Sequence, residues 1–212
     1  MTSTPLHTHA PEPAPAIAGS GLYRLKPWYA ARLAPVLAAL DRAHVSPDAL
    51  SVAGVLAAGL GGLALAVLPT GPLGAALVLA AGAVRLACAN LDGNLARRRG
   101  VSRRFGAVVN ELGDRFGDLA LLAGLTVHLS GALGFGMLLA ATAPSWVAIA
   151  VAAAGGRRRN GGPVGKTERV ALCVVAALTG WWVVVGLVVT VGSVVTALVR
   201  LRSGARELQV QP

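Results

Sequence analysis

Between Val170 and Val199 the chain carries no Asp, Glu, Lys or Arg. A lipid hydrocarbon core is crossed by about 20 apolar residues in a helix, so this run exceeds one perpendicular crossing. Gly180-Trp181-Trp182 near its middle is a natural break, which divides it into two spans. Three further blocks are apolar on the same scale: Pro47 to Leu68, Leu73 to Arg97, and Ala132 to Ala154, the last interrupted by Pro144. A sixth runs from Phe105 to His128 and is richer in charge. With 55% hydrophobic and only 13% charged residues, the composition lies outside that of soluble domains. The expected fold is all-α: a polytopic membrane protein of six transmembrane helices, in one domain spanning residues 22–203.

The flanking segments fit that frame. Residues 1–21, rich in Pro, Ala, Ser, Thr and His, lack the apolar core of a cleavable signal and predict a disordered tail. Residues 22–44 are helix-compatible, with Arg24, Lys26, Arg32 and Arg42 among Leu, Ala, Trp28 and Tyr29. They suit an amphipathic helix lying in the membrane interface; a solvated helix is the plainer alternative. Ser46 and Pro47 suit the cap and first turn of the next helix, and Leu68-Pro69-Thr70-Gly71-Pro72 is a strong breaker. Residues 204–212 are left as a C-terminal tail.

A net charge of +10 raises nucleic acid as a partner, but the placement of the charges argues otherwise. Aromatic residues make up 4% and do not interleave with the basic ones, so no stacking platform for bases is expected. None of the 19 Lys and Arg residues falls in the turns at 69–72, 129–133 and 180–186, whereas the other connections are basic. Positive residues stay on the cytoplasmic side, which places both termini in the cytoplasm of a bacterial inner membrane protein surrounded by membrane lipids. Cys88 and Cys173 sit in apolar stretches as small hydrophobes. His7, His9, His44 and His128 are scattered and predict no metal site.

Ionisable groups inside a membrane are costly and mark function by default. They cluster here. The second span holds Arg85, Asp92 and Arg97, and the third holds Glu111, Asp114, Arg115 and Asp118. Glu111, Asp114 and Asp118, spaced i, i+3 and i+7, share one helix face. Such a stripe suits a hard divalent cation with oxygen ligands; a network of salt bridges between helices is the alternative.

Asp92-Gly93, Ala96-Arg97, Gly106 and Asp114 stand at spacings that resemble the signature D-x2-D-G-x2-A-R-x8-G-x3-D-x3-D of the CDP-alcohol phosphotransferases. Asp48 and Ser51 resemble the Asn and Thr that open that family's first span, and the interfacial helix matches too. The resemblance implies a phospholipid-biosynthetic transferase. It would move a phosphatidyl-type group from a CDP-alcohol, CDP-diacylglycerol in the first place, to a hydroxyl acceptor, releasing CMP with Mg²⁺ or Mn²⁺ as cofactor. It also implies a homodimer. Asp48, Ser51, Asp92, Gly93, Ala96, Arg97 and Gly106 then contact the nucleotide donor, and Asp114 takes the catalytic-base position.

Two signature acids are absent, their places held by Ala89 and Asn110. The family builds a two-metal site from four carboxylates, and Asp92 with Asp114 alone hold two cations poorly. Glu111 and Asp118 are therefore expected as substitute metal ligands or supporting groups beside Asp92 and Asp114. Arg85, one turn before Ala89, can replace the charge of one cation. Sliding the match by one turn, onto Asp114 and Asp118, loses Gly106, so the first register is preferred. The same departures motivate an alternative, a catalytically silent relative that binds a nucleotide lipid or serves as a scaffold. A small transporter is a weaker reading, since no clear internal repeat is present.

The segment Arg157 to Arg169 is basic and rich in glycine. It misses a phosphate-binding loop because Asn160 stands where G-x4-G-K-[ST] needs glycine and no strand precedes it. Lys166 and Arg169 are expected to receive an anionic acceptor or headgroup; a topology signal with affinity for anionic lipid is the alternative.

Overall fold

A computed structural model describes residues 26–101, 104–158 and 161–210; the tail read over residues 1–21 lies outside them. Among these residues the chain forms seven helices: α1 (Lys26–Arg42), α2 (Pro47–Val67), α3 (Pro72–Arg98), α4 (Arg104–Thr126), α5 (Gly131–Ala153), α6 (Lys166–Thr179) and α7 (Trp182–Val210). Four of them, α2, α3, α5 and α7, are long and apolar enough to cross a membrane. The remaining two of the bundle fall short for different reasons. Helix α4 carries the acid stripe, and α6 has 14 residues, about 21 Å at 1.5 Å per residue.

The breakers act where local chemistry requires. Ser46 accepts the Ala49 N–H at 3.1 Å and Pro47 opens α2, while Ser130 caps α5 by accepting from Leu133. Gly180 ends α6 in the left-handed region, at φ 73°, which glycine adopts without strain. Helix α5 runs on through Pro144. Helix α7 continues past residue 203 to Val210, because Gly204 packs against Val151 and Glu207 accepts the Arg157 N–H at 3.0 Å.

The core is made of Ala58, Leu65, Val78, Leu122, Met137 and Val189 with their neighbours. Large apolar side chains also cover the outside: Leu60, Leu79, Leu139 and Leu187 are all exposed. An outer surface of this kind suits hydrocarbon rather than water. Inside, helices approach through small residues. A Cβ on Gly62 would strike the Ala120 carbonyl, and one on Gly124 would strike the Gly62 backbone, so α2 and α4 touch main chain to main chain. Cys88 and Cys173 are buried and unpaired.

One end of the bundle is basic. There α1 packs Leu33, Leu37 and Leu40 onto Leu50, Leu91 and Leu95. Arg99, just past α3, clamps it by donating to Asp41 Oδ1 at 2.7 Å and to the Val45 carbonyl at 2.7 Å. The Arg99 hydrogen bond, with help from the charge of Arg98, holds the Asp41 carboxyl below its ordinary range. At the other end Trp182 stacks on His128, ring centroids 3.9 Å apart, while Trp181 is exposed.

Candidate active site

Near the basic end, α2, α3 and α4 surround a small cleft that opens to the outside. Helix α2 contributes Ser51, Gly54 and Val55, α3 contributes Arg85, Ala89 and Asp92, and α4 contributes Asn110, Gly113 and Asp114. Gly54, Ala89 and Gly113 are small, which leaves the space open. Asp92 is buried, at 3% exposure. Its Oδ2 accepts the Ser51 hydroxyl at 2.7 Å and its Oδ1 accepts the Gly93 N–H at 2.6 Å. Its carboxylate is therefore fixed by two donors before any ligand arrives.

The acids of α4 are each matched to cations. Asp114, whose side chain is 14% exposed, pairs with Lys166, and Arg115 Nη2 stands 3.8 Å away. Glu111 pairs with Arg158 and, at 3.5 Å, with Arg115. Asp118 lies deepest: Arg85 donates to one oxygen and Arg169 Nη1 to the other at 2.8 Å. Thus Asp92 and Asp114 face the same cleft, whereas Glu111 and Asp118 lie outside its lining, each held by arginines. Among the described residues no three His, Cys, Asp or Glu side chains gather as a metal site. Asp92, Asp114 and the Asn110 amide bring hard oxygens to one cleft lining, and these are too few to hold two divalent cations.

The other residues singled out in the sequence are spread around this centre. Gly93, Ala96 and Arg97 follow Asp92 on the last turns of α3. Arg97 folds over Gly93, where a Cβ would lie 3.5 Å from Nη1, and donates to Asn94 Oδ1 at 3.0 Å. Asp48 is exposed on the first turn of α2. Gly106 sits near the start of α4 with open space beside it. Lys166 begins α6 at the mouth of the cleft. Arg169 is buried, holding Asp118 and donating to Ser193 at 3.3 Å. The loop before Lys166 is strapped to α7, since Val164 N–H donates to Thr196 at 3.1 Å and Arg200 Nε to the Gly161 carbonyl at 2.8 Å.

Sequence reasoning missed Gly117, a residue that shapes this centre. A Cβ there would come within 2.9 Å of Arg85 Nε, so the glycine makes room for the guanidinium. The only available signal was the pair Gly113 and Gly117, one turn apart on the acid-bearing helix. Ser193 and the pairing of Arg158 were also missed, because nothing local links Ser193 to Arg169 or Arg158 to Glu111.

No family model matches the chain. Individual relatives do. Phosphatidylinositol phosphate synthase of Mycolicibacterium smegmatis is 35% identical over 187 residues, covering 80% of this chain and 82% of that protein. The inner membrane protein YnbA of Escherichia coli is 32% identical, covering 76% and 78%. Among solved structures, phosphatidylinositol phosphate synthase of Mycobacterium tuberculosis shares the fold. Its complex with manganese and citrate aligns with a TM-score of 0.61 at 24% identity, over 81% of this chain and 88% of that one. Its complex with CDP-DAG aligns at 0.59 and 22%, over 84% and 94%. With that likeness running along most of both chains, the protein belongs to the CDP-alcohol phosphatidyltransferase family.

Proposed function

We propose that the chain transfers a phosphatidyl-type group from a CDP-alcohol, CDP-diacylglycerol, to a hydroxyl acceptor and releases CMP. The observation that carries this reading is the shared cleft. Asp92 and Asp114, from the two helices bearing the motif, line it together at the basic end of a membrane bundle. The relatives support the donor, since the synthase from M. tuberculosis binds CDP-DAG, and support the metal, since it binds manganese. We place α4 and α6 as the third and fifth of six crossings, both termini in the cytoplasm, and the chain in a homodimer at the inner membrane.

In this mechanism Asp114 takes the proton of the acceptor hydroxyl as its oxygen attacks the alcohol-linked phosphorus. The new P–O bond forms while the bond to the oxygen bridging to CMP breaks, and CMP leaves with that oxygen. Asp92 is fixed in its rotamer by Ser51 and Gly93. One Mg²⁺ or Mn²⁺, held by Asp92 and Asp114, would neutralise the diphosphate and the departing CMP. Arg97 receives the nucleotide side, and Gly93 and Ala96 leave it room, with Asp48, Ser51 and Gly106 around it. Lys166 meets an anionic group on the acceptor, which draws it from Asp114 and frees the carboxylate as a base. Arg169 orients Asp118 behind the site.

Protein purified in detergent, given CDP-diacylglycerol, Mn²⁺ or Mg²⁺ and a panel of polyols and polyol phosphates, should release CMP. Release no greater than that of Asp114→Asn would refute the assignment. A silent, lipid-binding relative is favoured by one observation, that the acids of α4 already have protein cations. Activity appearing only when the acids are restored, in Ala89→Asp/Asn110→Asp or in that pair combined with Arg85→Met, would establish that reading instead.

A further inference from the structure

The cleft holds one cation of its own that the family motif does not supply. Arg85 lines it yet is only 2% exposed. Its Nη2 donates to Asp118 and, at 3.1 Å, to the Asp114 carbonyl. Nε and Nη1 are buried with no protein partner among the described residues. A buried N–H left without an acceptor costs about 1–3 kcal/mol, and more when charged. Arg115 Nε and Arg169 Nε are unpaired too, but Arg85 alone of the three lines the cleft, where an added acceptor would meet its unsatisfied donors.

Charge fixes where that acceptor would sit. Arg85 is the one cation among the residues that line the cleft, beside the carboxylates of Asp92 and Asp114, and Asp114 is itself paired with Lys166. Ala89, where an acid would recruit a second metal, lies one turn from Arg85 on the same face of α3. Gly117 on α4 leaves the guanidinium its room.

We propose that Arg85 stands in for the second divalent cation, binding the diphosphate of the cytidine donor through its free N–H groups, so that the site takes one metal ion instead of two. The proposal rests on the donor assignment above. Its chemistry is ordinary for a guanidinium, whose N–H groups match phosphate oxygens and whose charge persists at every working pH.

The test uses purified protein in detergent with CDP and Mn²⁺ as probes. Free Mn²⁺ is counted by electron paramagnetic resonance, and CDP binding is measured by equilibrium dialysis with Mn²⁺ or with a chelator. Wild type should take one Mn²⁺ per chain and keep measurable CDP affinity in chelator. Arg85→Met should lose about 10- to 100-fold in CDP affinity under both conditions, the scale of one or two charge-assisted hydrogen bonds; Arg85→Lys should recover part of it. Arg85→Met/Ala89→Asp should take a second Mn²⁺ and regain CDP affinity only with metal, which also shows that the Arg85 variants remain folded. Two Mn²⁺ per chain in wild type, or unchanged CDP affinity in Arg85→Met, overturns the proposal. If wild type still releases CMP in the transfer assay, that failure touches Arg85 alone; if it neither binds CDP nor releases CMP, the donor assignment falls with it.

Discussion

Replacing Asp118 with Asn should destabilise the bundle while leaving Mn²⁺ binding intact. The Asp118, Arg85 and Arg169 side chains are 9%, 3% and 4% exposed, so water does little to relieve a change among them. At the 2.8 Å separation of Asp118 and Arg169, an effective dielectric of about 20 gives roughly 6 kcal/mol of gross attraction, before the offsetting desolvation. The net cost of breaking a buried pair by removing one partner is about 3–5 kcal/mol. Here one anion serves two guanidiniums, and the Asn amide turns an N–H₂ donor toward donors. At least ~3 kcal/mol is therefore expected, a large fraction of the ~5–15 kcal/mol that holds a typical domain together. Equilibrium unfolding in mixed detergent micelles, followed by tryptophan fluorescence without metal, measures it. A loss below about 1 kcal/mol would refute the structural role. A selective loss of Mn²⁺ affinity would instead make Asp118 a ligand.

Asp114→Asn should behave in the opposite sense, lowering CMP release by about 10²–10⁴-fold, the range of a general base. Its pair with the partly exposed Lys166 is worth no more than about 1 kcal/mol in unfolding. Gly124→Val should overpack the α2–α4 contact by about 1–3 kcal/mol or more, because the atoms in its way are Gly62 main chain. Gly59→Ala, with nothing within 4 Å, should cost nothing in the same unfolding titration and gain up to about 1 kcal/mol from helix propensity. The clamp on α1 should depend on pH. The folded Asp41 value is depressed, so the stabilisation is complete above the ordinary carboxyl value near 3.8 and is lost as pH falls through the depressed one. Hydrogen exchange in α1 should rise in acid relative to α5, and Asp41→Asn should show the raised exchange already at neutral pH.

Most of the helix plan is legible in the sequence because its breakers act locally. Pro69 to Pro72 separates α2 from α3, and Gly180 separates α6 from α7, each through its own backbone constraint. The start of α6 is not legible that way. Hydropathy places the apolar run from Val170, whereas the helix begins at Lys166, because the strap from Thr196 and Arg200 fixes the preceding loop. Those contacts join residues more than thirty positions apart. The acid stripe shows a second limit. Residues spaced i, i+3 and i+7 share a helix face, but Glu111 and Asp118 are separated by about 10 Å of rise. At those depths they meet different neighbours: the loop Arg158 for Glu111, Lys166 for Asp114, and Arg85 with Arg169 for Asp118. Periodicity gives a common direction and leaves out depth, so it cannot tell a cation's ligand from an arginine's partner.

Depth also ties Arg85 to the missing acid. On one helix, residues four apart are within reach of each other, so a carboxylate at position 89 would compete with Asp118 for the Arg85 guanidinium. The buried Asp118–Arg169 pair would then lose its second cation, and the cleft would gain an acid already neutralised by its own neighbour. An arginine at 85 and a metal-binding acid at 89 thus work against each other, whereas Arg85 with Ala89 keeps the guanidinium between Asp118 and the Asp114 carbonyl. The loss of an acid at Ala89 and the presence of Arg85 form one electrostatic arrangement. Restoring the acid without removing the arginine would disrupt it.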